Sequence, residues 1–128
     1  GTVFMKPETL ARILDRRIEK GEVFSAARVA AINAAKHTWE LIPLCHQIPL
    51  SQVTLDLESD EDQSSVHITA TVRVAARTGA EMEALTAVSV AGLTIYDMCK
   101  SRDRHVTIDS IRLVSKTGGI RGDFSRSD

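Results

Sequence analysis

Two runs of alternating apolar residues, separated by a polar stretch, constrain the fold most strongly. Val53, Leu55 and Leu57 alternate with polar residues, and the alternation resumes from Val66 through Val74. The stretch between them, SDEDQSS, is typical of a hairpin connection. Because successive side chains of a strand point to opposite faces, the pattern predicts an antiparallel hairpin with one buried face.

Helical patterns precede and follow this hairpin. Residues 7–17 carry apolar side chains at helical spacing, with Pro7 in the first turn. Ser25 is expected to cap a second, alanine-rich helix that ends near Lys36. Residues 81–100 contain no proline and predict the longest helix. With antiparallel hairpins between helices, the order predicts an α+β sandwich formed by one domain, residues 1–128.

The last third of the chain predicts one more strand and a loop. Val106 and Ile108 lie at even positions, whereas Ile111 and Leu113 lie at odd positions, so the apolar residues of one regular strand would change faces. We therefore expect a bulge or bend near residues 109–110. The glycine-containing tail SKTGGIRGDFSRSD predicts a loop.

Composition excludes several classes of function. The net charge is -1, from 16 basic and 17 acidic residues, so no global field favours nucleic acid or an anionic membrane. Aromatic residues make up only 4%, too few for a base-stacking platform. No stretch predicts a membrane span or a signal-peptide core, and the two cysteines form no CxxC motif. We therefore expect a soluble cytoplasmic domain that binds neither nucleic acid nor membrane.

Residues 41–50, LIPLCHQIPL, form an apolar run interrupted by two prolines. Proline removes a ladder donor, so the run predicts an edge or bulged strand. Adjacent strand residues point to opposite faces, which excludes a shared metal or a Cys-His nucleophile for Cys45 and His46. We expect no metal site. His46 is either a core histidine with a backbone partner or a histidine presented to a substrate, with Cys45 packed behind it.

The long helix carries charged residues near both ends. Asp97 and Lys100 are three positions apart and share one helix face, either as an exposed ion pair or as an acid-base pair; the apolar residues around them favour the second. Glu83 lies on nearly the same azimuth but roughly 21 Å away. Glu81 and Glu83 therefore either favour a helix N-terminus or belong to a site shared between subunits, and we favour the shared site.

The tail segment KTGGIRG combines Lys116 and Arg121 with glycines that let backbone amides approach an anion. It lacks the GxxxxGK[ST] pattern of a P-loop, and a flexible basic terminus remains the alternative. Taken singly, Lys20 and Lys36 are helix-end cations.

Together, LIPLCHQIPL, GAEMEALTAVSVAGLTIYDMCK, KTGGIRGDF and KGEVFSAARVAAINAAKHTWE resemble the signature stretches of the MoaC family, the cyclic pyranopterin monophosphate synthases of molybdenum cofactor biosynthesis. The resemblance runs over nearly the whole chain. It implies a ferredoxin-like α+β fold and a cytoplasmic homohexamer, a trimer of dimers, with active sites at subunit contacts. The family usually has a charged stretch before the first helix, and we expect this stretch to be either missing here or in a part of the protein that the sequence does not cover.

The resemblance also implies a reaction and its residues. The family converts 3',8-cyclo-7,8-dihydroguanosine 5'-triphosphate to cyclic pyranopterin monophosphate and diphosphate. No redox cofactor is implied, because the rearrangement is internal; Mg²⁺ can accompany the triphosphate. The matching catalytic residues are Asp97, Lys100 and Lys20, and the matching substrate-binding residues are Leu44, Cys45, His46, Glu81, Met82, Glu83, Lys36 and Lys116.

Two other classes remain open from the sequence: a non-catalytic oligomeric scaffold, and a regulator that binds a nucleotide without turnover. A scaffold needs no Asp97–Lys100 pair, and a regulator needs no proton transfer.

Overall fold

The computed structural model describes residues 1–128. Ten helices and strands follow one another: β1 (Thr2–Phe4), α1 (Pro7–Leu14), α2 (Val23–Lys36), α3 (Thr38–Leu41), β2 (Leu50–Asp60), β3 (Ser65–Val74), α4 (Glu81–Cys99), β4 (Thr107–Asp109), β5 (Ser115–Lys116) and β6 (Phe124–Ser125). None of the four helices is both long and apolar enough to cross a membrane.

The main sheet has four antiparallel strands in the order β2-β3-β1-β4. With α1 and α2 between β1 and β2, and α4 between β3 and β4, this is the βαββαβ arrangement of ferredoxin-like folds. The predicted α+β class and the ferredoxin-like arrangement are therefore confirmed.

The hairpin of β2 and β3 confirms the strongest pattern in the sequence. Leu55 lies opposite Ala70, and Asp60 lies opposite Ser65. The turn is tightened by Asp60, whose Oδ1 accepts a hydrogen bond from the Gln63 amide at 3.1 Å. The buried positions on β2 and β3 include Leu55 and Ile68, which follow the apolar alternation in the sequence.

Helices α2 and α4 cover one face of the sheet and pack against each other. Their contact is built from small side chains: Ala27 and Ala31 of α2 and Ala87 and Ala91 of α4 are all completely buried. Because such residues add little volume, the two backbones approach closely. Ile95, also completely buried, continues this core toward the C-terminal end of α4.

The expected strand over residues 41–50 is wrong. The buried Thr38 donates its hydroxyl to the carbonyl of Ala34 at 2.9 Å, and one further helical turn, α3, follows α2. The chain then forms a turn and an irregular segment until β2 begins at Leu50. The run is not buried either, since Leu41 is 60% exposed and Leu44 is 93% exposed.

Three smaller expectations are also corrected. Ser25 does not cap α2: Glu22 does, by accepting the Ser25 amide at 2.5 Å. The strand expected beyond residue 106 is only the short β4, whereas the bend expected near residues 109–110 is confirmed by the φ of 55° at Ser110. The tail is not only a loop, because β5 and β6 pair. Strand β1 was not foreseen, since three residues carry too little pattern.

Candidate functional site

Helix α4 positions two clusters of charged side chains, one at each end. Its first turn contains Glu81 and Glu83, and its last turn contains Asp97 with Lys100 as the C-cap. The stretch contains no proline, and its buried alanines pack it against α2. The two clusters therefore lie at opposite ends of one continuous helix.

The first cluster consists of Lys20, Asp97 and Lys100, which we call the lysine-aspartate triad. Lys100 Nζ lies 2.9 Å from Asp97 Oδ1, and Lys20 Nζ lies 3.2 Å from Asp97 Oδ2. Lys20 also donates to the backbone carbonyl of Asp97 at 3.2 Å. Both carboxylate oxygens therefore have a cationic partner, and the sequence-predicted catalytic residues come together.

The triad is open to solvent in the single chain. The three side chains are about half exposed, at 49% for Lys20, 56% for Asp97 and 51% for Lys100. The expectation of apolar surroundings is therefore wrong for the isolated chain, because the neighbouring Met98 and Cys99 point into the core. A carboxylate–ammonium pair in this setting contributes little to stability.

Pairing shifts the pKa values of Asp97 and Lys100 in opposite directions. The hydrogen bond from Lys100, followed by that from Lys20, lowers the pKa of the Asp97 carboxyl. The hydrogen bond to Asp97 raises the pKa of the Lys100 ammonium. Both groups are thus charged at neutral pH, and proton transfer requires a substrate or a partner surface to disturb the pair.

The second cluster surrounds a cavity of about 110 Å³ at the start of α4, which we call the Glu83 cavity. Its lining residues are Cys45, His46, Ile48, Thr78, Gly79, Glu81, Met82 and Glu83. Glu83 is only 4% exposed, which is unusual for a glutamate side chain. A carboxylate held at the wall of a cavity is suited to accept hydrogen bonds from N–H groups of a ligand.

Cys45 contacts Glu83 directly. The Cys45 thiol donates to Glu83 Oε2 over 3.5 Å. Burial, followed by the charge of Glu83, raises the pKa of this thiol, so Cys45 is a neutral donor and not a nucleophile. His46 is exposed and lines the cavity, which agrees with a histidine presented to a ligand and not with a core histidine.

The glycine-containing tail folds against the same cavity. Lys116 Nζ lies 3.2 Å from Glu81 Oε1, and its side chain is only 15% exposed. Gly118 and Gly119 have φ values of 79° and 82°, a conformation that glycine adopts without strain. Asp123 Oδ1 accepts the Gly118 amide at 3.0 Å. The tail therefore places a cation beside Glu81, at the edge of the Glu83 cavity.

Other predicted residues are not part of either contact network. Lys36 is exposed at the end of α2, and Leu44 is almost fully exposed beside the Glu83 cavity without lining it. Arg121, in the tail, is likewise exposed. No group of three or more His, Cys, Asp or Glu side chains is arranged to hold a metal ion.

The sequence did not single out several residues beside these clusters. Thr78 and Gly79 line the Glu83 cavity. The available signal in the sequence was that these two residues end a strand pattern shortly before α4. Glu19 and Arg102 form an ion pair next to the triad. Their spacing of 83 positions leaves no local sequence signal.

The two clusters are too far apart to contact one small molecule within a single chain. Glu83 and Asp97 lie 14 positions apart along α4, which corresponds to about 21 Å. The Glu83 cavity offers carboxylates, a histidine and, beside Glu81, the ammonium group of Lys116, whereas the triad offers two ammonium groups and one carboxylate. The two clusters thus present different chemical groups to a ligand.

Comparison with known proteins gives a consistent result. The model of the MoaC family matches residues 1–119. A protein of Brevibacillus brevis named cyclic pyranopterin monophosphate synthase is 54% identical over 126 residues, which cover 98% of this chain and 78% of that protein. Proteins of the same name from Desulfatibacillum aliphaticivorans and Chloroflexus aurantiacus are 56% and 55% identical, over 97% and 98% of this chain and 78% and 77% of those proteins.

Proposed function

This chain belongs to the MoaC family, and from that premise we infer that it acts as a cyclic pyranopterin monophosphate synthase, a lyase of molybdenum cofactor biosynthesis. The observation that carries the inference is the lysine-aspartate triad, because Lys20 and Lys100 both contact Asp97 in a chain whose residues 1–119 match the family model.

The proposed substrate is 3',8-cyclo-7,8-dihydroguanosine 5'-triphosphate, which rearranges to cyclic pyranopterin monophosphate with release of diphosphate. The guanine-derived ring opens and recloses as a pterin, so protons must move on nitrogen and oxygen. Asp97 acts as the base and Lys100 as the acid, and the two roles exchange between steps. The rearrangement is internal, so no redox cofactor is required; any Mg²⁺ enters with the triphosphate.

The charges of the chain support the assignment of the two ends of the substrate. The triad and Lys116 supply ammonium groups that neutralise the triphosphate, although the net charge of the whole chain is -1. Cations that hold the developing charge of diphosphate favour its departure. Glu83 and His46 orient the guanine-like edge at the cavity, with Glu83 accepting from its N–H groups.

The site is proposed to be completed by a second copy of the chain. The separation of about 21 Å between Glu83 and Asp97 exceeds the reach of the reacting part of one substrate. Exposed apolar side chains such as Trp39, Leu41 and Leu93 provide surface for contacts between copies. The assembly is a homohexamer, a trimer of dimers, in which the Glu83 cavity of one copy faces the triad of another.

In the proposed assembly, burial of the triad between copies would favour the proposed acid-base chemistry. Removing water from Asp97 and Lys100 opposes the charged form of each group, which raises the pKa of the carboxyl and lowers that of the ammonium. Such burial would oppose the shifts that pairing causes in the single chain and would favour proton transfer between the two groups.

A turnover experiment tests the reaction. The chain is incubated with the cyclised dihydroguanosine triphosphate while diphosphate release and the fluorescence of the oxidised pterin are followed. Equal amounts of both products, lost in Asp97→Asn, support the synthase. Binding without either product would favour a nucleotide-binding regulator, and no binding at all would favour a scaffold.

A mixing experiment tests the shared site. Asp97→Asn and Glu83→Gln copies are each inactive alone and are exchanged into mixed assemblies at equal amounts. If each site takes its cavity from one copy and its triad from another, about a quarter of the sites carry both intact halves, and about a quarter of the activity returns. If each chain holds a complete site, mixing restores no activity.

A further inference from the structure

Lys20 lies at the tip of a tight turn between α1 and α2. The Gly21 amide donates to the Ile18 carbonyl at 3.1 Å, and Gly21 has φ of 122°. Ile18, at the start of the turn, is 6% exposed and anchors it to the core. Glu19 and Lys20 therefore occupy the two central positions, with opposite charges side by side.

A second turn follows α4 and faces the first. The amides of Arg102 and Asp103 both donate to the Cys99 carbonyl at 3.0 Å. Asp103 is 1% exposed and accepts the Lys6 amide and the Thr9 hydroxyl, each at 2.9 Å. The turn is therefore fixed to the start of α1, and Arg102 extends from a rigid base.

Arg102 and Glu19 connect the two turns. Arg102 Nε donates to Glu19 Oε1 at 2.7 Å, and a terminal guanidinium nitrogen of Arg102 contacts the same oxygen. Arg12 Nη1 lies 3.7 Å from that oxygen as well. The turn of Lys20 is thus held to the C-terminal end of α4 at two adjacent points, Glu19–Arg102 and Lys20–Asp97.

We propose that Glu19 and Arg102 are positioning residues that hold Lys20 against Asp97. We call this pair the Glu19–Arg102 clamp. A lysine side chain has a flexible stem of four carbons, and that of Lys20 is about half exposed. Its ammonium group therefore stays near Asp97 only if the backbone of Lys20 is fixed. The planar guanidinium is preorganised for a carboxylate and fixes the neighbouring residue at low entropic cost. The role of the clamp in turnover rests on the proposed function.

The first test measures Lys20 itself and needs no turnover. In the assembled protein, lysines are acetylated for a short time, and the labelling rates of Lys20 and Lys100 are compared by mass spectrometry. Arg102→Gln is expected to raise the ratio of Lys20 to Lys100 labelling about threefold, a change of the size that an exposed ion pair supports. Arg102→Lys should give an intermediate ratio, because it keeps the charge and loses the planar fork.

Arg17→Gln is the matched control, since Arg17 lies in the same loop but pairs only with Asp15, at 3.1 Å. The ratio of Lys20 to Lys100 labelling in Arg17→Gln should equal that of the unmodified protein. An unchanged ratio in Arg102→Gln would overturn the proposal. An equal rise for both lysines would also overturn it, because it would indicate general loosening of the fold and not release of Lys20.

The second test measures turnover of the same variants. Arg102→Gln is expected to lower kcat about fivefold while KM changes less, and combination with Lys20→Gln should cause no further loss, because the clamp acts through Lys20. Additive losses would contradict the proposal. If the unmodified protein does not turn over, the proposed function fails while the labelling ratio still decides whether the clamp exists.

Discussion

Lys20 Nζ lies 3.2 Å from Asp97 Oδ2, although 77 positions separate the two residues in the chain. The contact joins the turn before α2 to the last turn of α4. Asp97 therefore has two ammonium partners, one from its own helix and one from a distant loop. A carboxylate between two lysines is stabilised as an anion, and the lysines gain a fixed geometry from it.

Replacing Asp97 by asparagine should abolish turnover without preventing substrate binding. The amide keeps the shape of the side chain but is neither a base nor an anion, so we expect kcat to fall roughly 10²- to 10⁴-fold. The apparent Kd for the triphosphate substrate, measured by calorimetry, should change much less, because Lys20 and Lys100 remain. Asp15→Asn, in another exposed ion pair, is the control; a comparable loss there would contradict the role of Asp97.

The pH dependence of stability should also depend on Asp97. Lys100 and Lys20 lower the pKa of Asp97 in the folded chain. The charge of Asp97 therefore stabilises the fold fully above the pKa of an unfolded aspartate, about 3.9. This stabilisation is lost as the pH falls through the lower pKa of the folded state. The pKa of Lys100 is raised by Asp97, so its effect is present below about 10.4 and is lost as pH rises through the higher folded value.

The Tm difference between the unmodified protein and Asp97→Asn should therefore be largest between these two limits. It should shrink in acid and again in strong alkali. The effect is small, because the pair is exposed. A Tm difference that stays constant from acid to alkali would show that Asp97 stabilises the fold by something other than its charge.

Glu83→Gln should make the thiol of Cys45 more reactive. The pKa of Cys45 is raised by burial and by the Glu83 carboxylate, and the neutral amide removes the second cause. We expect alkylation of Cys45 by iodoacetamide at pH 8 to accelerate several-fold. Cys99 is the internal control, since burial, aided by Asp103, raises its pKa to about 11. A Cys45 rate that does not change would contradict the contact with Glu83.

Gly119→Ala should weaken both the fold and the placement of Lys116. Gly119 has φ of 82°, and a Cβ there would lie 3.3 Å from Lys116 Nζ. We expect the free energy of unfolding to fall by about 1 kcal/mol from backbone strain and KM to rise. Gly118→Ala separates the two effects, because Gly118 has φ of 79° and open space at its Cβ. It should cost similar stability with less change in KM.

Ala31→Leu should destabilise the contact between α2 and α4. Ala31 is completely buried among other small residues, and a larger side chain would force the helices apart. We expect a loss of about 1–3 kcal/mol in urea unfolding. Val29→Leu, at a position 61% exposed on the same helix, should change the free energy of unfolding by less than about 0.5 kcal/mol. Equal effects of the two substitutions would contradict the packing described.

Local patterns in the sequence determined the elements that are long and periodic. The hairpin of β2 and β3 and helix α4 follow from the alternation, the polar turn and the proline-free stretch, because each is stabilised by contacts within the element or with its sequence neighbour. Strand β1 and the pairing of β5 with β6 were not foreseen. All three strands are only two or three residues long, which leaves too little pattern in the sequence. Strand β1 is held by the distant strands β3 and β4, whereas β5 and β6 pair only with each other.

The stretch LIPLCHQIPL shows the limit of a pattern. Its apolar residues and prolines indicated an extended strand, but its first residue, Leu41, ends the short helix α3, and the run stays largely exposed. An apolar run is buried only if another surface covers it, and the single chain provides none for Leu44. The exposed His46 and the buried Glu83 beside it could be assigned to one cavity only from the folded chain.

By itself, the sequence determined the α+β class, the Asp97–Lys100 pair three positions apart on one helix and, through its long motifs, the resemblance to the MoaC family. Only the tertiary structure decided that Lys20 completes the triad and that Lys116 pairs with Glu81. The physical reason is distance along the chain. Spacing of three or four residues fixes neighbours on a helix, whereas contacts between distant residues depend on how the sheet and helices pack.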